Sequence, residues 1–344
     1  MIGVVGKETE QTRRSVGIEF ADAGLEAGVG RILASVEEDL RQSVLSADPL
    51  VAEAARHLVD AGGKRFRPLL VALAAQLGDP TSPDVVKAAI VVELTHLASL
   101  YHDDVMDEAA VRRGAPSVNS RWGNVMAILV GDYLFSRAAS VAAELGPEAV
   151  NIQAETFARL VHGQIAETSG PRDGEDKLAH YLRVIAQKTG SLIATSARFG
   201  GMFARVPAEQ VDALAEYGET IGIAFQLSDD LLDIASESEQ SGKTPGTDLR
   251  EGVPTLPVLY ALASDETDTA SVRLRQILST GPITDDALHA EALGLLREST
   301  AFKKARETVR SYSDRARSSL AVLPDQPARR ALESLCDFIA ERTG

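Results

Sequence analysis

The sequence predicts an all-α fold, a single large bundle of a dozen or so helices, and three observations carry that expectation. Apolar residues recur at helical spacing in most windows from residue 21 onward. No segment alternates apolar and polar residues in the way a half-buried strand does. Asp-Pro, Ser-Pro and glycine signals start and stop the helical stretches. No Pro-rich or low-complexity linker divides the chain, so residues 21–344 are expected as one helical domain behind a frayed segment over residues 1–20.

The elements follow in order. Residues 21–44 are amphipathic. Asp48-Pro49 supplies an N-cap and a proline at the first helical position, opening a helix that runs to Gly62-Gly63. The next begins near Arg67-Pro68 and stops at Gly78. Ser82-Pro83 repeats the cap and opens a helix over 83–107, followed by a polar connector over 112–123. Helices are expected over 124–145, 147–168, 175–188, 191–203 and 207–234. Residues 236–246, rich in Ser, Gly and Lys, read as a mobile loop, and helical segments fill 254–343.

Composition narrows the function. Thirty-five basic against fifty acidic residues give a net charge of −15, which excludes a nucleic-acid partner needing a basic face. The one cysteine, Cys336, excludes an intramolecular disulfide and a cysteine zinc cage. Residues 1–8 lack the basic and apolar regions of a signal peptide, and a reducing, cytoplasmic compartment is expected. No run of 18 apolar residues occurs, so no spanning helix is expected.

Two stretches carry the chemistry. Asp103-Asp104-Val105-Met106-Asp107 and Asp229-Asp230-Leu231-Leu232-Asp233 are both D-D-x-x-D, and both lie in helical segments. Four residues is about one turn of 5.4 Å, so Asp103 and Asp107 share a face, as do Asp229 and Asp233. Like charges at this spacing destabilise a bare helix, which points to a cation. Oxygen-only ligands select a hard ion such as Mg²⁺, which binds through one or two carboxylates plus substrate phosphates. Cations lie elsewhere along the chain: Gly62-Gly63-Lys64-Arg65-Phe66-Arg67-Pro68, Arg112-Arg113, Lys188-Thr189-Gly190 and Lys243. His96 lies two turns before Asp103 and Gln226 three residues before Asp229. Alone, each reads as ordinary surface or core. Together, with no nucleophile–base arrangement, they suit chemistry in which a diphosphate leaves and metal stabilises it.

The run from Glu93 through His102-Asp103-Asp104 to Asn124 resembles the first aspartate-rich region of the trans-polyprenyl diphosphate synthases. Gly62–Pro68, Gly131-Asp132-Tyr133-Leu134, Lys188-Thr189-Gly190, Phe225–Asp233 and Gly242–Pro257 match in order as well, so the resemblance spans about residues 60–260. It implies a helical bundle around a central cavity, of isoprenoid synthase type. It also implies two to three Mg²⁺ ions. Asp103 and Asp107 would hold two and Asp229 a third, with Asp233 a ligand directly or through water and Asp104 and Asp230 in support. Lys188 would join Asp103, Asp107 and Asp229 in catalysis. Arg112, Lys188, Thr189, Gln226 and Lys243 would contact the allylic diphosphate; Lys64, Arg67, His96 and Arg113 would bind isopentenyl diphosphate. Val253 stands where the family often has a lysine. A homodimer through residues 124–168 is implied, with transient membrane contact for product release.

Within the resemblance, product length is expected to follow the helix leading to Asp103. Members that stop early carry bulky aromatics four or five residues before the first aspartate. Here Ser99 and Ala98 stand there, with Thr95 one turn further back, so a long product of about C30 to C50 is expected, of the kind attached to a quinone such as menaquinone. Tyr101 lies roughly 200° around the helix from Asp103 and is left off that face. The alternatives are a shorter farnesyl or geranylgeranyl diphosphate synthase, a non-catalytic subunit of a heteromeric synthase, a class I terpene cyclase and a His-Asp phosphohydrolase. The cyclase would lack the basic turn and the second motif, and the hydrolase would need further histidines.

Overall fold

The computed structural model describes residues 20, 22–235 and 245–342. The expected frayed start and mobile loop fall almost entirely outside these residues. The fold is all-α. Contacts divide the chain into two compact units: the first holds the described residues up to Leu160, Ser191–Gly218 and Ser319–Leu335, the second Val161–Gly190, Glu219–Ser318 and Cys336 onward.

The first unit begins with α1 (Ala23–Ser43), α2 (Pro49–Asp60), α3 (Phe66–Ala75) and α4 (Pro83–Met106). Asp22 and Asp48 cap α1 and α2, accepting bonds from Leu25 N and from Leu50 N and Val51 N. Ser82 occupies the N-cap of α4, but its side chain makes no cap bond. From Ala88 to Ala98 every residue of α4 except His96 is buried. A helix apolar on all sides belongs at the centre of a bundle, and α4 packs against α1, α3, α6 (Asn124–Leu145) and α9 (Ser191–Phe203). Tyr101 is fully buried and its hydroxyl donates to Ala54 O at 2.7 Å, pinning α4 to α2.

The polar connector corrects one expectation. β1 (Val111–Arg112) and β2 (Ala115–Pro116) form a minimal antiparallel ribbon, with Arg112 opposite Ala115. Arg113 and Gly114 between them have φ of 54° and 77°. Both central residues of a type I′ turn require positive φ, and glycine supplies one of them without strain. Two-residue strands are too short to show any alternation. α5 (Val118–Trp122) follows.

α7 (Pro147–Ser169) and α10 (Ala208–Ala235) each contribute to both units. The second unit adds α8 (Lys177–Ile185), a π turn (Ala186–Gly190), α11 (Thr247–Glu251), α12 (Leu256–Leu262), α13 (Thr269–Leu278), α14 (Asp286–Glu298) and α15 (Thr300–Ser319). α12 packs on α8, α13 and α14, and Leu256 and Leu296 on α12 and α14 are fully buried. The helix expected over 175–188 therefore ends early, at Ile185. α16 (Pro327–Glu341) follows and carries Cys336, whose thiol is buried. α6 is long and apolar enough to cross a membrane by length and composition, despite Asp132, Arg137 and Glu144, although no uninterrupted apolar run foretold it. Only 39% of its most apolar window is buried.

Candidate active site

In the first unit, α4 ends at the first aspartate motif. Asp107 is its C-cap, and the Asp107 amide donates to Asp103 O at 2.8 Å, so both stay in helical register. Asp103 is half-buried, Asp104 buried and Asp107 exposed. Asp104 faces inward, where its Oδ1 accepts Arg112 Nε at 2.6 Å and Nη2 at 2.5 Å. Burial raises the Asp104 pKa and Arg112 opposes the rise. Asp104 Oδ2 is buried without a hydrogen-bond partner.

The basic turn before α3 separates its three cations. Lys64 is exposed. Arg65 turns inward with φ of 45° and is buried in ion pairs with Glu37 and Glu93. Arg67 is half-buried, and its Nε lacks a hydrogen-bond partner. Burial brings Arg67 down to about 10, against the opposing Glu93 charge. Arg113 donates from Nη1 to Leu58 O at 2.9 Å and to Gly62 O, so it leans on the same turn. His96 is held well below the usual imidazole value by burial and by Arg67, Arg113, Arg65 and Arg112. At neutral pH it is an uncharged hydrogen-bonding group.

Two chain-length residues are placed differently from expectation. Ala98 is 0% and Thr95 1% exposed, and Thr95 spends its hydroxyl on Val91 O at 2.8 Å. Ala98 lies about 140° around the helix from Asp103 at 100° per residue, so it faces packed core. Ser99, about 40° from Asp103, is half-buried, as is His96 at about 20°.

In the second unit, the π turn carries Lys188 and Thr189. A Cβ on Gly163 of α7 would stand 2.8 Å from Lys188 N, so only glycine lets the two backbones approach. A π turn inserts one extra residue into a helix and is frequent at functional sites. Lys188 Nζ pairs with Glu167 at 2.5 Å. Thr189 Oγ1 donates to Gln226 Oε1 at 3.4 Å, and Gln226 Nε2 to Asp230 Oδ1 at 3.1 Å. Asp230 also accepts the Tyr181 hydroxyl. Asp229 pairs with Arg342 at 2.7 Å. Asp233, expected as a metal ligand, already accepts Thr247 N and Asp248 N, both at 3.2 Å, capping α11. Lys243 lies outside the described residues. Tyr181 and Arg342 were not foreseen. Tyr181 stands seven residues before Lys188 on α8, a spacing that could have marked it, whereas nothing near Arg342 in the sequence points to Asp229.

Burial lifts Asp230 to about 7, with the Tyr181 and Gln226 hydrogen bonds opposing. The unfolded carboxyl ionises near 3.8, so between there and about 7 the folded state holds the extra proton, and stability falls as pH rises. In chelator, Asp230→Asn should therefore raise the unfolding free energy at pH 8 by a few kcal/mol, on the order of the shift, with a higher melting temperature, and the gain should shrink as pH falls toward 4. Equal melting curves at both pH values would count against a buried, destabilising carboxylate.

Among the described residues no three His, Cys, Asp or Glu side chains close a metal cage by themselves. The carboxylate sets and the orphaned Asp104 Oδ2 still fit a hard divalent cation, which draws its remaining ligands from water and phosphate.

The polyprenyl synthetase family model matches residues 48–294. The chain is 50% identical to the nonaprenyl diphosphate synthase of Mycobacterium tuberculosis over 329 residues, covering 95% of this chain and 97% of that protein. It is 44% identical over 324 residues to a dimethylallyltranstransferase of the same organism, covering 94% and 96%. It also superimposes on a geranylgeranyl pyrophosphate synthase from Corynebacterium glutamicum, solved with calcium and isoprenyl diphosphate, with TM-score 0.86 and 45% identity over 95% of this chain and 100% of that one. The motif residues are spread over the matched span, and the chain belongs to the polyprenyl synthetase family as a prenyltransferase of isoprenoid synthase fold.

Proposed function

We propose that the protein condenses isopentenyl diphosphate head-to-tail onto an allylic diphosphate and releases an all-trans product of about C30 to C50, suited to a quinone side chain. The observation that carries this reading is Arg67, a desolvated guanidinium with an unpartnered Nε beside Arg113 and a neutral His96. That is a cluster of donors suited to a polyanion. Lys64, Arg67 and Arg113 take the isopentenyl diphosphate oxygens, and His96 offers them an N–H. Arg112, Lys188, Thr189, Gln226 and Lys243 take the allylic diphosphate. Magnesium held by Asp103, Asp107 and Asp229, with Asp233 directly or through water, would neutralise charge on the leaving diphosphate.

The allylic C–O bond breaks and its electron pair departs on the diphosphate. The isopentenyl double bond attacks the resulting allylic carbon. The adjacent carbon then loses its proton to the released diphosphate, so no side-chain base is needed. The long product length is supported by the nonaprenyl relative and by small Ser99. The shorter-chain relatives make geranylgeranyl diphosphate the competing product. Incubation with isopentenyl diphosphate and a farnesyl or geranylgeranyl starter, followed by chromatography of the dephosphorylated product, tests the reading. Arg67→Ala should raise KM for isopentenyl diphosphate about tenfold or more. Arg112→Ala should raise KM for the allylic partner instead. Both variants weakening one substrate would sink the division of sites.

A homodimer is proposed through α6. Val125, Ile128 and Leu129 project from it at 74%, 43% and 57% exposure, an apolar face suited to a second copy. Light scattering at micromolar concentration should give twice the chain mass, and Leu129→Asp should halve it. A monomeric wild-type protein would refute the dimer, and flotation of such a monomer with lipid vesicles would assign the face to membrane contact.

A further inference from the structure

We propose that Glu93 is a positioning residue that aims the Arg67 and Arg113 guanidiniums at isopentenyl diphosphate. The inference rests on the substrate assignment above. Glu93 lies on α4 one turn before His96 and is 1% exposed. A buried carboxylate is retained only where charges or hydrogen bonds compensate it. Here its Oε1 accepts Arg65 Nη1 at 2.8 Å and stands 4.0 Å from Arg113 Nη2. The same carboxylate exerts the main attraction on Arg67.

The remaining contacts show what this arrangement does. Arg65 also bonds Glu37 and donates from Nη2 to Val59 O at 3.0 Å. Its backbone is left-handed, a conformation that is strained for a non-glycine residue. Held there, Arg65 turns inward, while Lys64 on one side is exposed and Arg67 on the other is half-buried. Arg113 donates to Gly62 O and thereby fastens to the start of the same turn. Glu93 thus touches both ends of one construction, the turn through Arg65 and the ribbon through Arg113. Arg65, Arg67 and Arg113 outnumber Glu37 and Glu93, and Glu37 is shared with Arg41, so positive charge is left in excess for an anionic diphosphate. Arg67 and Arg113 repel each other, and Glu93 is the group that lets them converge.

A merely structural role would be charge balance for Arg65 alone. Two variants separate the readings: Glu93→Gln, and the double variant Arg65→Met with Glu93→Gln, which removes both members of the buried pair. Positioning requires KM for isopentenyl diphosphate to rise about tenfold or more in both. KM for the allylic partner should stay within about twofold of wild type in both, and Glu93→Asp should recover part of the loss. The double variant should recover the melting temperature that Glu93→Gln loses, because a buried pair removed whole is far less costly than one broken. If the double variant restores both melting temperature and isopentenyl KM, or if both KM values rise together, the proposal is overturned. Should Glu93→Gln not fold, the double variant alone decides. Arg67→Ala serves as reference. If it leaves isopentenyl KM unchanged, the substrate assignment has failed; if it raises KM while Glu93→Gln does not, only the positioning role has.

Discussion

Asp103→Ala and Asp229→Ala are each expected to lower kcat on the order of a thousandfold or more, with kcat/KM falling in step. Asp103 sits one turn before the end of α4, and the Asp107 amide bonds its backbone carbonyl, so the variant keeps the helix closed. Alanine is the best helix former, and its introduction relieves the repulsion between Asp103 and Asp107. The melting temperature of Asp103→Ala should therefore match or exceed wild type while activity collapses. Asp229→Ala should lose stability as well, because Arg342, 12% exposed, loses its ion partner and is left with the neutral acceptors Ser228 Oγ at 2.6 Å and Phe225 O at 2.7 Å and the Phe225 ring. Steady-state rates across a Mg²⁺ titration, beside thermal melts, read both effects. Full turnover by either variant, or by the wild type in excess chelator, would end the metal-assisted reading.

Ser99→Phe is expected to shorten the product from about C30–C50 to about C15–C20 without abolishing condensation. Ser99 is half-buried and on the Asp103 side of α4, so a ring there crosses the line along which a tail held at Asp103 would extend. Its hydroxyl bonds only its own helix, at His96 O, so its loss leaves no distant group unpaired. Ala98→Phe should instead cost about 1–3 kcal/mol in stability, because Ala98 is fully buried on the core side of α4, away from Asp103. Chromatography of dephosphorylated products gives the lengths and denaturant melts give the costs. Unchanged product in Ser99→Phe would show that the tail runs elsewhere.

The helices were legible in the sequence where the signal is local. Asp48-Pro49 is both N-cap and first turn, and the carboxylate does accept two amides there. The π turn was not legible, because one inserted residue leaves normal helical periodicity on either side of Lys188. The Arg113-Gly114 ribbon is too short for period-two patterning. Among the site residues, the acidic motifs stand out because four-residue carboxylate spacing is unfavourable without a cation. The sequence could not separate Arg65 from Lys64 and Arg67, since three adjacent cations look alike until Glu37 and Glu93 are brought to one of them. Nor could it show that Asp233 caps α11 or that Arg342 reaches Asp229, because those partners depend on the packing of distant helices.

Cys336 gives the last helix an experimental handle. It is the one thiol in the chain and is fully buried, on the same helix that leads to Arg342. A buried thiol is inert to alkylating reagents until its surroundings open. The rate at which the native enzyme takes up such a reagent would then report how often α16 detaches. No engineered label is needed, because stoichiometric modification can have only one address.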